Sequence, residues 1–321
     1  MNPQASEGPP DGSSQVSHTL APLPEAVTSF GAVTVGDWIH VCGGHRGERH
    51  DYTSETVSGS FHRLRWSGPA GGVWERLAPV EPAQGAPLVA FGSKIHRTGG
   101  MAARNRSGEP TDLHSKATVW SYDCAHVSAG WQAGPPMPEP RSSHDAVVEG
   151  GALYVGGGWQ LAGKPSAGRW LDAVWRLDLG KAGAAWESIP QPFRRRALAM
   201  AAANGRIYFL GGIDAEGEPS SAVDVLDTGN GQWSRGPDLP DGPMKGFGFS
   251  ALALGGKVYA SGLSGDVLEL GPGDAEWRVV ARLGSPRFFH RWVTAGNSHL
   301  VALGGEGNGA KLAQLEVVRV C

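Results

Sequence analysis

Arg141, Arg195 or Arg196, Lys245 and Arg287 recur at one place in the chain, each 15 to 17 residues ahead of the first glycine of a glycine-rich marker. Cationic groups converging on one point bind carboxylate or phosphate, because charge-assisted hydrogen bonds are strong and a guanidinium offers a planar fork that matches two oxygens. Arg46, Arg194 and Arg291 fall in neighbouring stretches, and His290 follows Arg287 by three residues. Trp159, Trp170 and Phe288-Phe289 add flat apolar faces beside these cations, surfaces on which a sugar, a base or a peptide side chain can stack. The set predicts an anion-recognition site; the alternative is that the arginines bond loop carbonyls and hold the fold.

A second cluster is "HRGERHDY", with His45, Glu48, His50 and Asp51, joined by His114 on a later stretch. Imidazole and carboxylate can ligate zinc or iron, but the spacing follows no metal-binding pattern, and no Cys-x-x-Cys pair is present. No metal or other cofactor is expected. His40 and His96 occupy the column filled elsewhere by Tyr154, Tyr208 and Tyr259 and read as packing residues; His144 and His290 share a column and read as bonding the adjacent unit. Trp120 and Trp175 fall in apolar strand runs and are expected in the core. Cys42, Cys124 and Cys321 cannot all pair and read as free thiols.

These residues are carried by a repeat. "WIHVCGG" (38–44), "KIHRTGG" (94–100), "ALYVGGG" (152–158), "RIYFLGG" (206–212), "KVYASGL" (257–263) and "HLVALGG" (299–305) are six copies of one strand-and-glycine marker, spaced by 56, 58, 54, 51 and 42 residues. Trp74, Trp131, Trp186, Trp233 and Trp277 keep step with it, each followed by a Pro- or Gly-rich stretch. Each unit holds four short apolar or alternating runs that cannot cover both faces alone, so the units must stack on one another. Forty-nine glycines and 23 prolines suit many short strands and tight turns.

With 28 basic against 31 acidic side chains and a net charge of −3, the chain is not a general nucleic-acid binder, and no apolar run is long enough to span a membrane. Residues 1–16, "MNPQASEGPPDGSSQV", have neither a basic start nor an apolar stretch and are expected to be a disordered tail; residues 17–321 are expected to form one unit, in the cytoplasm.

The double glycine, the Tyr122-Asp123 pair, the tryptophan and the "PR..H" of Pro140, Arg141 and His144 together resemble the Kelch motif, over nearly the whole chain. The resemblance implies an all-β fold, a six-bladed β-propeller. Five tryptophans mark six units, and the last, ending "AQLEVVRVC", lacks a fourth strand, whereas "VSHTLAPLP" near the N-terminus resembles the segment that follows each tryptophan. The N-terminal strand is therefore expected to complete the last blade and cover its open edge. In the resembled fold, the loops joining the second to the third strand share a face with the loops that lead from one blade into the next. Here the former are long in the first three units and short in the fifth and sixth, which predicts a rim with a wall on one side.

On that face the chain is expected to be a binding protein recognising an acidic protein segment or small anionic ligand through Arg46, Arg141, Arg195, Arg196, Lys245, Arg287, His290, Arg291 and Trp159. The alternative is an enzyme acting on an anionic sugar there, as in the sialic acid mutarotases, which are similar six-bladed Kelch propellers. Resemblance to the Kelch copper radical oxidases is poor, since four of the five tyrosines are repeat positions and only Tyr52 lies on a suitable loop. The iron-using plant specifier proteins carry Glu, Asp and His spaced three residues apart within one loop, and the stretch "HRGERHDY" does not have that run.

Overall fold

Each repeat folds as a four-stranded antiparallel sheet in a computed structural model that describes residues 16–17, 19–164 and 168–320. The fourth blade shows the plan: Ala199–Ala203, Arg206–Leu210, Val223–Asp227 and Trp233–Arg235 pair in chain order. First strands of successive blades pack side by side around a central channel, where "AMAAA" in this blade keeps the wall thin. The glycine marker ends the second strand because backbones of adjacent blades meet there. A Cβ on Gly211, already at φ 61°, would lie 2.3 Å from the carbonyl oxygen of Gly246.

The apolar core is divided among the seams between blades. Between the first and second blades, Phe61, Leu88, Ile95 and Tyr122 are buried, with Trp131 packed against them. The outer-strand tryptophans also staple each blade to the chain leaving the previous one. Their indole N–H groups donate to Ala21 (from Trp74, 3.1 Å), Ala78 (Trp131, 3.2 Å), Pro135 (Trp186, 3.2 Å), Pro190 (Trp233, 2.9 Å) and Pro237 (Trp277, 3.0 Å) carbonyls. An aromatic body with one polar edge suits a seam that is dry inside and wet outside. Trp120 and Trp175 depart from expectation: both are half-buried, and their indoles donate to Glu81 Oε1 (2.9 Å) and Glu139 Oε1 (3.1 Å) in the loops between blades.

The ring closes as the sequence predicts. Val16–Ser17 pairs antiparallel with Leu315–Arg319 as the fourth strand of the last blade. Two residues later, Thr19–Leu20 runs parallel to Ala70–Gly71 of the first blade, and Leu20 and Leu23 enter the core shared by the first and last blades. The expected tail lies, Val16 apart, outside the described residues, as does Cys321; Cys42 and Cys124 are free thiols. Among the described residues, no helix is long and apolar enough to cross a membrane.

Candidate ligand-recognition face

The wall is built from the second-to-third-strand loops of the first three blades, bonded in series. Ser54 N donates to Asn105 O (2.9 Å), the Asn105 amide donates to Tyr52 O (3.0 Å), and farther round Ser115 N donates to Leu161 O (2.9 Å) and Gly163 N to Leu113 O (2.9 Å). The corresponding loop of the fifth blade is a tight turn, Gly265 N to Gly262 O at 3.0 Å, so that side of the rim is low.

The floor is a belt of six residues, one from each loop leading into a blade: Ser29, Gly85, Ser143, Ala197, Gly248 and Phe289, all with φ between 51° and 70°. Left-handed backbone turns each peptide tangentially, so neighbours bond around the axis: Gly85 N to Ser29 O (2.6 Å), Ala197 N to Ser143 O (2.7 Å), Gly248 N to Ala197 O (3.1 Å), Phe289 N to Gly248 O (2.8 Å) and Ser29 N to Phe289 O (3.2 Å). Four of the six carry side chains despite the strain, which the interlocked belt sustains.

Three of the recurrent cations turn away from this mouth into the seams. Arg141, fully buried, donates to Gly157 O (3.0 Å), Val155 O (3.4 Å) and Glu139 (2.9 Å). Arg195 donates to Ala222 O (2.7 Å), pairs with Asp224 and lies on the Phe193 ring at 4.3 Å. Arg287, fully buried, bonds Ser285 O (3.0 Å), Gly304 O (3.1 Å) and Gln314 O (2.9 Å) and pairs with buried Glu316. Burial pulls the Arg141 and Arg195 pKa values down to about 10, against the opposing pull of Glu139 and Asp224. In the second blade, buried Arg97 does similar work from a strand, donating to Glu81 O (3.0 Å) and Ala83 O (3.2 Å). These guanidiniums satisfy carbonyls that the seams would otherwise leave unpaired, the structural alternative foreseen for them.

His290 and Arg291 lie beneath the belt. His290 Nε2 meets Ser261 Oγ at 2.9 Å, as His144 Nε2 meets Thr98 Oγ1 at 3.1 Å, and burial holds both imidazoles well below the ordinary histidine range. Arg291 donates to Phe30 O (3.0 Å) and Asp145 Oδ1 (2.9 Å). Arg46 is half-exposed but committed, to Glu55 O twice (3.0 and 2.9 Å) and to Glu25 at 3.3 Å. The histidines of the suspected metal cluster serve local ends: His45 bonds Asp51 O (2.8 Å), His114 bonds Asp112 (2.7 Å) and His50 is exposed. Among the described residues, no three His, Cys, Asp or Glu side chains gather as a metal site.

Arg196 and Lys245 remain. The Arg196 guanidinium lies 4.2 Å over the Trp159 ring and 5.6 Å from that of Trp170, and it makes no hydrogen bond or ion pair among the described residues. The two tryptophans face each other across the short hairpin Trp159–Gln160 and Arg169–Trp170, their rings 5.9 Å apart. Arg196 Nε and Trp159 Nε1 are both buried without a hydrogen-bond partner among the described residues, and desolvation lowers the Arg196 pKa. Lys245 is exposed and unpaired among the described residues, in a strained turn where it and Met244 both have positive φ (44° and 62°).

The structure gives places to Tyr52 and Phe289, already noted in the sequence, and adds Arg49, Arg104, Arg106, Met244, Phe247 and Glu306, which the sequence did not single out. Tyr52, between His45 (5.0 Å) and His50 (6.2 Å), is near enough to feel the charges of Arg196, Glu306 and Arg49, while burial raises its phenol pKa. Arg49 pairs with Glu306 of the last blade. Arg104 and Arg106 on the second-blade loop are exposed cations whose guanidiniums have no partner among the described residues. On the low side, Phe247 and Phe289 meet edge to face at 5.1 Å, beside exposed Met244. The repeat marks none of these loop residues, and only their position on the rim connects them.

Comparison with known proteins agrees with this architecture. A family model for the KLHDC2/KLHL20/DRC7 Kelch-repeats domain matches residues 29–263. The chain is 26% identical over 239 residues to Kelch repeat and BTB domain-containing protein 12 of Danio rerio, covering 66% of this chain and 36% of that protein. It is also 26% identical to Kelch-like protein 21 of Bos taurus (74% and 44% covered) and to the N-(sulfonatooxy)prop-2-enimidothioate sulfolyase of Thlaspi arvense (61% and 55%). It thus spans between about a third and just over half the length of these relatives. The solved structure of YjhT superposes with a TM-score of 0.72 at 17% identity, over 94% of this chain and 97% of that one, and so shares the fold. A repeat, a ring and a family match covering most of the chain lead to one assignment: this is a member of the Kelch-repeat family.

Proposed function

We propose that the chain is a recognition module that holds an acidic protein segment or small anion on the loop-bearing face, against Arg196. One observation carries this reading: Arg196 is a largely desolvated guanidinium, stacked on indole, whose charge no carboxylate of the described residues answers. A stacked guanidinium is already oriented, so an incoming carboxylate gains a strong bond at little ordering cost. A segment arriving over the low side has exposed Met244 and Lys245, and Phe247 and Phe289 beside them, to meet on its way to Arg196. Several relatives are Kelch-like proteins by name, in keeping with protein recognition.

A second reading, turnover of an anionic sugar at the same face, draws support from the Tyr52 hydroxyl, a group able to pass a proton that lies near both Arg196 and the Arg49-paired Glu306. Calorimetric titration at matched ionic strength tests the primary reading, using a Glu-rich peptide and its Gln counterpart. The acidic peptide binds and the neutral one does not, and Arg196→Ala weakens binding by roughly tenfold or more, about 1.4 kcal/mol. Equal binding of both peptides, or an unaffected variant, overturns it.

A further inference from the structure

A cavity of about 60 Å³ lies on the axis at the level of the belt, lined among others by Gln84, Gly85, Ser143, His144, His290 and Arg291. It adjoins the one place where the belt is open. Ser143 N and Gly85 O are neighbours in the ring, yet no hydrogen bond joins them, whereas the other five links are made. Three further polar atoms in the lining are buried without a partner among the described residues: Gln84 Oε1, His144 Nδ1 and His290 Nδ1. The two histidines are only 3% and 2% exposed, so open solvent does not answer for them.

The chemistry of the lining identifies the occupant. Ser261 Oγ accepts the Trp292 indole N–H at 2.8 Å, and in the tautomer where its own proton goes to His290 Nε2, His290 Nδ1 carries hydrogen. The chamber therefore offers N–H donors from Ser143 and His290 and oxygen acceptors from Gln84 and Gly85. An anion would face the two oxygens, and a cation the two N–H groups. The one full charge nearby, on Arg291, is met by Asp145. A neutral molecule that both donates and accepts suits these four and also His144 Nδ1 in either tautomer, and a water needs only about 10–15 Å³ of such space and two to four polar partners.

We propose that this axial chamber is a buried water site, in which bound water bridges Ser143 N–H to Gly85 C=O and completes the belt between the second and third blades. The site is independent of the ligand proposed for the mouth, because its polar atoms lie in the belt and beneath it.

A high-resolution crystal structure of the full chain tests this, with parallel crystals soaked in bromide or pressurised with xenon. The expected result is water density within hydrogen-bonding reach of Ser143 N and Gln84, neither heavy atom entering, and a water cross-peak to the Ser143 amide in solution. A bromide peak would make the chamber an anion site, a xenon peak would make it a dry apolar void, and a direct Ser143 N to Gly85 O bond would close the gap without water. Each of these three outcomes overturns the proposal.

Discussion

Arg291 Nη1 lies 2.9 Å from Asp145 Oδ1, a bond between the first strands of the sixth and third blades, which face each other across the ring. The pair spans the channel beneath the belt. Asp145 also accepts Met200 N at 3.0 Å, and Arg291 donates to Phe30 O, so four blades meet at this one ion pair.

Arg291→Met strands a buried carboxylate and is expected to cost about 3–5 kcal/mol in urea melts. Pairing it with Asp145→Leu removes the orphaned charge and recovers much of that loss. A single variant as stable as the parent would show the pair to be solvated in solution.

The same contrast separates the arginines of the loops. Arg287→Ala takes the guanidinium from buried Glu316 and the donors from three carbonyls and is expected to destabilise by about 3–5 kcal/mol; Arg141→Ala removes the donor of two seam carbonyls but leaves Glu139 with Arg169, and is expected to cost less. Arg196→Ala, which breaks no hydrogen bond, should change stability by less than about 1 kcal/mol while anion binding falls. Thermal melts and titrations on the three variants read both quantities.

Deleting residues 1–24 removes the fourth strand of the last blade, the parallel pair on the first, and Leu20 and Leu23 from their shared core. The expected outcome is aggregation or a large fall in melting temperature, whereas deletion of 1–12 leaves the melt unchanged. Equal melting of the two truncations would show that the staple contributes nothing.

Trp131 packs against Phe61 and Tyr122 at 4.9 and 5.3 Å, and Trp233 against Phe193 and Phe209 at 5.8 and 5.1 Å. Replacement of either by alanine is expected to cost about 3 kcal/mol. Phenylalanine keeps the ring but loses the indole bond to the preceding blade, and should cost about 1 kcal/mol. Denaturant midpoints distinguish the two effects.

Stability also depends on pH through His40, His144 and His290. Burial lowers all three below the ordinary value of 6.5, His40 to about 4. As pH falls, the unfolded chain therefore takes up protons before the folded one does. Their contribution is complete above pH 6.5 and is lost progressively as pH drops towards 4. Melting temperatures measured across that window should decline, and less steeply in a His40→Gln variant that still folds.

The ring was legible because its markers answer to geometry that every blade repeats. Gly211 permits a backbone approach and Trp233 fills a seam, and their counterparts recur at matching intervals. The site was legible only as a region. Arg195 and Arg196 are adjacent and chemically alike, yet one turns into the seam towards Asp224 and the other lies on Trp159. Spacing in the sequence cannot separate two neighbours that point in opposite directions. Tyr52 and Glu306 belong to loops of unrelated sequence, 254 positions apart, that only ring closure brings together.

The belt also has a mechanical meaning. Peptide bonds aligned end to end around an axis carry tension as hoops do on a cask, and a hoop fails at its weakest joint. Here five joints are direct hydrogen bonds and the sixth, between Gly85 and Ser143, is not. Force that spreads the mouth, applied by a bound partner or by a pulling experiment, concentrates at that joint. The first breach therefore opens between the second and third blades, far from the stapled seam where the chain's two ends meet.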